Sequence, residues 1–118
     1  MKAPIGQIGE TLAQAFLQKH GYVIVETNWR MRHAELDIIA QHTDILVFVE
    51  VKTRRSQTTE SAFEAITPRK RERLLRSIHL YLDHHPNEDR DWRIDVIAVS
   101  LNSNRAPVIE HVQDALTW

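Results

Sequence analysis

Twelve residues separate Asp37 from Glu50, and Lys52 follows Glu50 with only Val51 between them. The stretches that carry these groups, Ala34 to Ala40 and Ile45 to Arg54, are rich in β-branched residues, and the polar Gln41-His42-Thr43-Asp44 lies between them. That pattern predicts two strands joined by a turn. Side chains alternate faces along a strand, so Glu35 and Asp37 share one face of the first, and Glu50 and Lys52 one face of the second. A two-residue or a four-residue loop gives the same register, with Asp37 opposite Glu50 and Glu35 opposite Lys52. Opposed Cβ atoms stand about 4.5–5.5 Å apart, where like charges destabilise the pair. Apolar Ile, Val and Phe neighbours raise the cost by lowering the local dielectric. A hairpin built only for stability would carry Val or Thr at one of the two positions. A divalent cation between the carboxylates removes the repulsion, because hard cations take oxygen ligands. Lys52 then projects beside the same place.

The rest of the chain supplies elements to hold this hairpin. A helix is expected from Ile5 to His20, with Ile8, Leu12 and Phe16 packing on the sheet and Gly21 as its stop. Gly6 and Gly9 weaken that helix by about 1 kcal/mol each relative to Ala, a cost that often marks close approach of another backbone. Glu10 sits at the edge of the apolar arc beside Ala13 and Leu17; taken alone, it is an ordinary first-turn acid favoured by the helix dipole. Tyr22 to Val25 begins a strand that turns polar towards Arg30. Trp29 reads as a core anchor and His33 as a turn residue, while Arg30 and Arg32 add to a basic surface. Thr53 to Thr59 lacks core periodicity and reads as a mobile loop, and Ser61 to Ile66 as a short helical turn. Thr67 is a good N-cap and Pro68 suits the first position of a second long helix, whose apolar stripe is Leu74, Leu75, Ile78, Tyr81 and Leu82. His84-His85 point apart on such a helix and make no metal pair. A polar loop over 86–90 leads to a strand from Asp91 to Val99, in which Asp95 reads as a hydrogen-bonded structural acid, with support of the site as the alternative. A last strand spans Ala106 to Val112, with Pro107 moving it to an edge. The tail ending in Trp118 carries no signal.

Composition narrows the classes. With 118 residues, 42% of them hydrophobic, the chain (1–118) is expected to be one domain with a modest core. The absence of Cys excludes a disulfide framework, a thiolate metal site and a cysteine nucleophile. No signal-like or membrane-spanning apolar run is present, so a cytoplasmic protein without a membrane partner is expected. Net charge is −1, but residues 52–76 carry eight Lys and Arg against three Glu, a net of +5. Such asymmetry marks a surface for phosphates, with a plain solvated helix face as the alternative. Arg69, Lys70, Arg71 and Arg73 crowd the positive end of a helix dipole, where each cation costs about 0.3–1 kcal/mol. An anionic partner accounts for them better than folding does.

Several blocks resemble one family. Gly6-Gln-Ile-Gly9-Glu10, Asn28-Trp29-Arg30, Glu35-Leu36-Asp37, Phe48 to Arg54 and Arg93-Ile94-Asp95 run in the order of the PD-(D/E)xK nuclease superfamily. They most resemble its small YraN-like branch, related to archaeal Holliday junction resolvases. That branch usually has Gly before the Glu-x-Asp triplet; this chain has Ala34, which touches the turn more than the chemistry. The resemblance implies an α/β, restriction-endonuclease-like fold: one mixed sheet flanked by helices, in the order α-β-β-β-α-β with room for one more edge strand. It implies a Mg²⁺-dependent endonuclease, with Mn²⁺ as substitute, that hydrolyses phosphodiester bonds in DNA. Asp37, Glu50 and the Val51 carbonyl would hold the metal, Lys52 would assist the chemistry, and Glu10 would reach the site directly or through water. Arg54, Arg55, Arg69, Lys70 and Arg73 would bind the nucleic acid. The alternative is a catalytically weak or inactive nucleic-acid- or partner-binding module on the same fold. Branched, linear or single-stranded substrates stay open, as do RNA and a homodimer.

Overall fold

Strands form where the β-branched runs lie, and the sheet is built outward from the two that carry the acidic residues. The computed structural model describes residues 4–86 and 89–115; Met1 to Ala3, Asn87-Glu88 of the polar loop and the tail 116–118 lie outside the described residues. In chain order the elements are α1 (Pro4–Lys19), β1 (Val23–Met31), β2 (Ala34–His42), β3 (Ile45–Arg55), α2 (Glu60–Glu64), α3 (Pro68–Asp83), β4 (Trp92–Asn102) and β5 (Arg105–Val112). The five strands lie side by side in sequence order as one sheet. All neighbours are antiparallel except β3 and β4, which are parallel. A parallel pair needs a crossover connection, and α2 and α3 lie within it. The expected mixed α/β sheet is therefore present, with β5 as the additional edge strand carrying Pro107. Among the described residues no helix is long and apolar enough to cross a membrane.

Each face of the sheet buries its own core. Ala13 and Leu17 of α1 pack on Ile38, Ala40, Val47, Val49, Val51, Ile97 and Val99. On the opposite face Leu74, Ile78 and Tyr81 of α3 pack on Leu36, Ile39, Leu46, Phe48 and Ile94. Trp29 joins this second core, edge-on to Tyr81. Local chemistry places α3 as expected: Pro68 opens the helix, and the Thr67 side chain accepts from the Lys70 N–H at 3.3 Å. His84 and His85 each turn back to a carbonyl of the preceding turn, of Leu80 and Tyr81.

Two expectations are corrected. The sheet-facing stripe of α1 is Gly9, Ala13 and Leu17 with Glu10 beside them, whereas Ile8 is 48% exposed and Leu12 and Phe16 only flank the core. Small residues where the helix meets the sheet let it approach closely, which outweighs the larger apolar side chains. Thr53 to Arg55 are not loop: they continue β3 and pair with Val99 to Leu101 of β4. Their polar character reflects Arg54 and Arg55, which are exposed while still in the ladder.

Asp95, which interrupts the apolar run of β4, is fully buried. It accepts from Arg93 Nε at 2.9 Å, the Asp114 backbone N–H at 3.1 Å and the Tyr22 hydroxyl at 3.2 Å, and meets His111 Nε2 at 2.7 Å. Burial alone would raise its carboxyl, but the hydrogen bonds from His111, Arg93 and Asp114 outweigh burial and hold it below the usual range. A depressed carboxyl contributes stability that is present above its unfolded value and lost as pH falls through the folded one. Arg93→Ala removes the guanidinium paired with a buried charge and should destabilise the protein by about 3 kcal/mol, measured by urea unfolding at neutral pH. Arg93→Lys should recover part of that loss.

Candidate functional site

The β2–β3 ladder runs from His42–Ile45 to Ile38–Val49 and stops there. Its register is the one the hairpin pattern predicts, and continuing it brings Asp37 level with Glu50. At that level the strands part. The Val51 N–H, two residues past the last pair, donates to Asp37 Oδ2 at 3.0 Å, so a side chain takes a donor that a neighbouring strand would otherwise satisfy. Face alternation also breaks across Asp37, because Leu36 and Ile39 share one core where strict alternation would separate them. Opposite, between the pairs Thr27–Ile38 and Trp29–Leu36, Asn28 has φ +52. Asn tolerates this left-handed conformation better than most residues, and the β1–β2 register is the same on both sides of it.

The fork opens into a cleft of about 880 Å³ whose lining comes from five elements and their connections. Asp37 of β2 and Glu50, Val51, Lys52 and Arg54 of β3 meet Glu10 of α1 and Lys70 and Arg73 of α3. Arg55 and Arg69, expected to join the nucleic-acid surface, are exposed outside this lining. Glu35 lines the cleft, but no ladder pairing sets it opposite Lys52. It pairs with Arg30 at 3.6 Å, and Lys52 Nζ lies 3.3 Å from Glu50 Oε1. The expected opposition fails because the ladder ends before reaching it. Arg76 and Ser77 also line the cleft, and counting three and four residues on from Arg73 along the helix would have found them. His33 is the turn residue expected, at φ +62, and it too lines the cleft.

Burial, and then the charge of Asp37, push the Glu50 carboxyl up to about 8, with Lys52 offsetting part of the rise. The Asp37 charge thus acts on Glu50 in the direction the sequence implies, and without a cation it favours a proton on Glu50. Two carboxylates in a cleft that Val51 also lines fit a hard divalent cation. Mg²⁺ in particular keeps several waters and takes only one or two protein carboxylates. Among the described residues no group of three or more acidic or imidazole side chains forms a ready cation site. Glu10 lines the same cleft from α1.

These features define a single α/β sheet with a polar cleft, acidic at its floor and basic along the α3 wall. The model of "Uncharacterised protein family UPF0102" matches residues 9–99, and the chain belongs to that family. A UPF0102 protein of Chloroflexus aurantiacus is 42% identical over 113 residues, covering 94% of this chain and 91% of its own. One of Streptomyces griseus is 41% identical over 113 residues, covering 95% of each chain. One of Flavobacterium psychrophilum is 43% identical over 111 residues, covering 94% and 92%. These names give the family and state no activity. The matched span contains the cleft residues from Glu10 to Ser77.

The raised Glu50 carboxyl has a measurable sign. Between its ordinary 4.5 and about 8 the native state holds a proton that the unfolded chain has released, so stability falls as pH rises through this window. Metal-free protein should lose stability across pH 5–8 with a slope approaching about 1.4 kcal/mol per unit from this group. Glu50→Gln should flatten that slope and leave the variant more stable than the parent at pH 8. Thermal melts in chelator across this range measure both.

Proposed function

We propose that this protein is a metal-dependent nuclease of the PD-(D/E)xK type that hydrolyses phosphodiester bonds in DNA. The observation that carries the reading is the convergence of Asp37, Glu50 and Lys52 at the end of a hairpin, inside a cleft walled by Lys70 and Arg73. A pure scaffold gains nothing from two crowded carboxylates, whereas a phosphate-cleaving site needs them to hold a cation. Asp37, Glu50 and the Val51 carbonyl would hold Mg²⁺, or Mn²⁺ in its place. When bound, such an ion supplies Lewis-acid stabilisation of the phosphate and a water of lowered pKa.

The chain's own groups do the rest. The Val51 N–H fixes the Asp37 carboxylate, so its direction does not depend on substrate. Lys52, next to Glu50, orients the attacking water or offsets charge that grows on the phosphate in the transition state. Arg54, Lys70 and Arg73 contact the sugar–phosphate backbone, which positions the substrate without reading bases. No serine, cysteine or histidine nucleophile is required.

The deciding experiment is a cleavage screen with highly purified protein on branched, flapped and linear DNA in Mg²⁺ and Mn²⁺. Cleavage that disappears in Glu50→Gln is expected. Cleavage that survives this substitution would belong to a contaminant, and DNA binding without cleavage on any substrate would establish the weak or inactive binding module instead. Lys52→Ala should slow cleavage at least 10-fold while changing DNA affinity little. Changing Lys70 and Arg73 together to Gln should weaken DNA binding for every sequence. It should also flatten the slope of log K against log salt by about 0.9 for each duplex phosphate that the variant no longer neutralises. Changing Arg55 and Arg69, outside the cleft, should do less on both measures.

A further inference from the structure

Glycine is a poor choice for the second turn of a helix, where alanine is intrinsically favoured, yet Gly9 stands there facing the sheet and is buried. A Cβ at this position would stand 1.7 Å from Thr53 Oγ1, 2.9 Å from Thr53 Cβ and 3.0 Å from Thr53 Cγ2. Rotating the threonine moves its oxygen away but not its Cβ, which the β3–β4 pairing of Thr53 with Val99 holds in place. The helix therefore touches the strand through bare backbone. One position along from this contact on α1 is Glu10, 5% exposed and lining the cleft. One position back on β3 is Lys52, which lines the same cleft. This close helix–strand approach is thus beside the site on both elements.

We propose that Gly9 is a positioning residue: its missing side chain sets the depth at which α1 rests on Thr53, and that depth places Glu10 at the cleft beside Asp37 and Glu50. The same seating accounts for the rotation of α1, which keeps Gly9, Ala13 and Leu17 on the sheet and leaves Ile8 outward. The inference rests on the nuclease reading for what Glu10 does, but the seating itself is independent of it.

The test uses variants of the whole chain, read by single-turnover cleavage at saturating DNA, by DNA affinity, and by the Mn²⁺-induced rise in Tm. Gly9→Ala should lower the cleavage rate at least 10-fold with DNA affinity within 2-fold of the parent, and should shrink the Mn²⁺ response. Thr53→Ala in that background removes two of the three crowding atoms and should restore part of both. Because Gly9 acts through Glu10, the Gly9→Ala penalty should vanish in a Glu10→Gln background. Leu17→Ala, in the core two turns further along α1, should lower Tm at least as much as Gly9→Ala yet keep the rate and the Mn²⁺ response. If Gly9→Ala folds only when combined with Thr53→Ala, the seating is established by that rescue. Independent, multiplicative effects of Gly9→Ala and Glu10→Gln would overturn the proposal, as would a Gly9→Ala variant indistinguishable from the parent or from Leu17→Ala. Failure of the nuclease reading is a separate result, namely no Glu50-dependent cleavage by the parent protein. In that event the Mn²⁺ response of Gly9→Ala, with and without Thr53→Ala, still decides the seating.

Discussion

Two carboxylates at the open end of one hairpin set the terms for the surrounding structure. Asp37 and Glu50 cannot both be charged and close without a compensating group, and burial beside apolar strands makes the conflict sharper. The local answer has three parts. A backbone N–H is given to Asp37, a lysine is set beside Glu50, and a proton stays on Glu50 when no cation is present. Ending the ladder at Ile38–Val49 makes all three possible, because continued pairing would have used the Val51 donor and closed the space between the strands.

That fork needs walls, and the two long helices supply them from opposite faces of the sheet. α1 brings its N-terminal half, with Glu10, to one side. α3 brings Lys70 and Arg73 to the other. Further along, each helix is an ordinary core element: Leu17 is buried on one face, Ile78 and Tyr81 on the other. Each helix thus serves both the cleft and the sheet. On α3 the two roles interleave, since Arg76 and Ser77 still line the cleft while Leu74 and Ile78 beside them pack on the sheet.

Legibility in the sequence follows the range of the interactions. The hairpin register is written in alternation within a short stretch, and the start of α3 in Thr67 and Pro68, whose effects act within one turn. Asp95 stands out because an acid within an apolar strand must find partners. The face of α1 is hidden because it depends on Thr53, far along the chain, and no helical periodicity reports on that approach. Arg54 and Arg55 conceal the last residues of β3, since a strand end that faces solvent has the composition of a loop. The expected Glu35–Lys52 opposition assumes that a ladder once begun continues, and only the three-dimensional fork shows where it stops. Arg55 and Arg69 are basic like their neighbours, but charge alone does not say which side of a wall a residue faces.

The Asp95 network joins parts of the chain made at very different times. Its groups come from Tyr22, from Arg93 and Asp95, and from His111 and Asp114, and Gln113 reaches back to the Tyr22 hydroxyl at 3.3 Å. As the polypeptide leaves the ribosome, the β2–β3 hairpin pairs residues that are near in sequence. β4 cannot bury Asp95 at low cost until the residues around 111 arrive to share its charge. The last strand therefore acts as a clasp. It closes on β4, and β4 in turn is the parallel neighbour of the β3 residues Glu50 and Thr53.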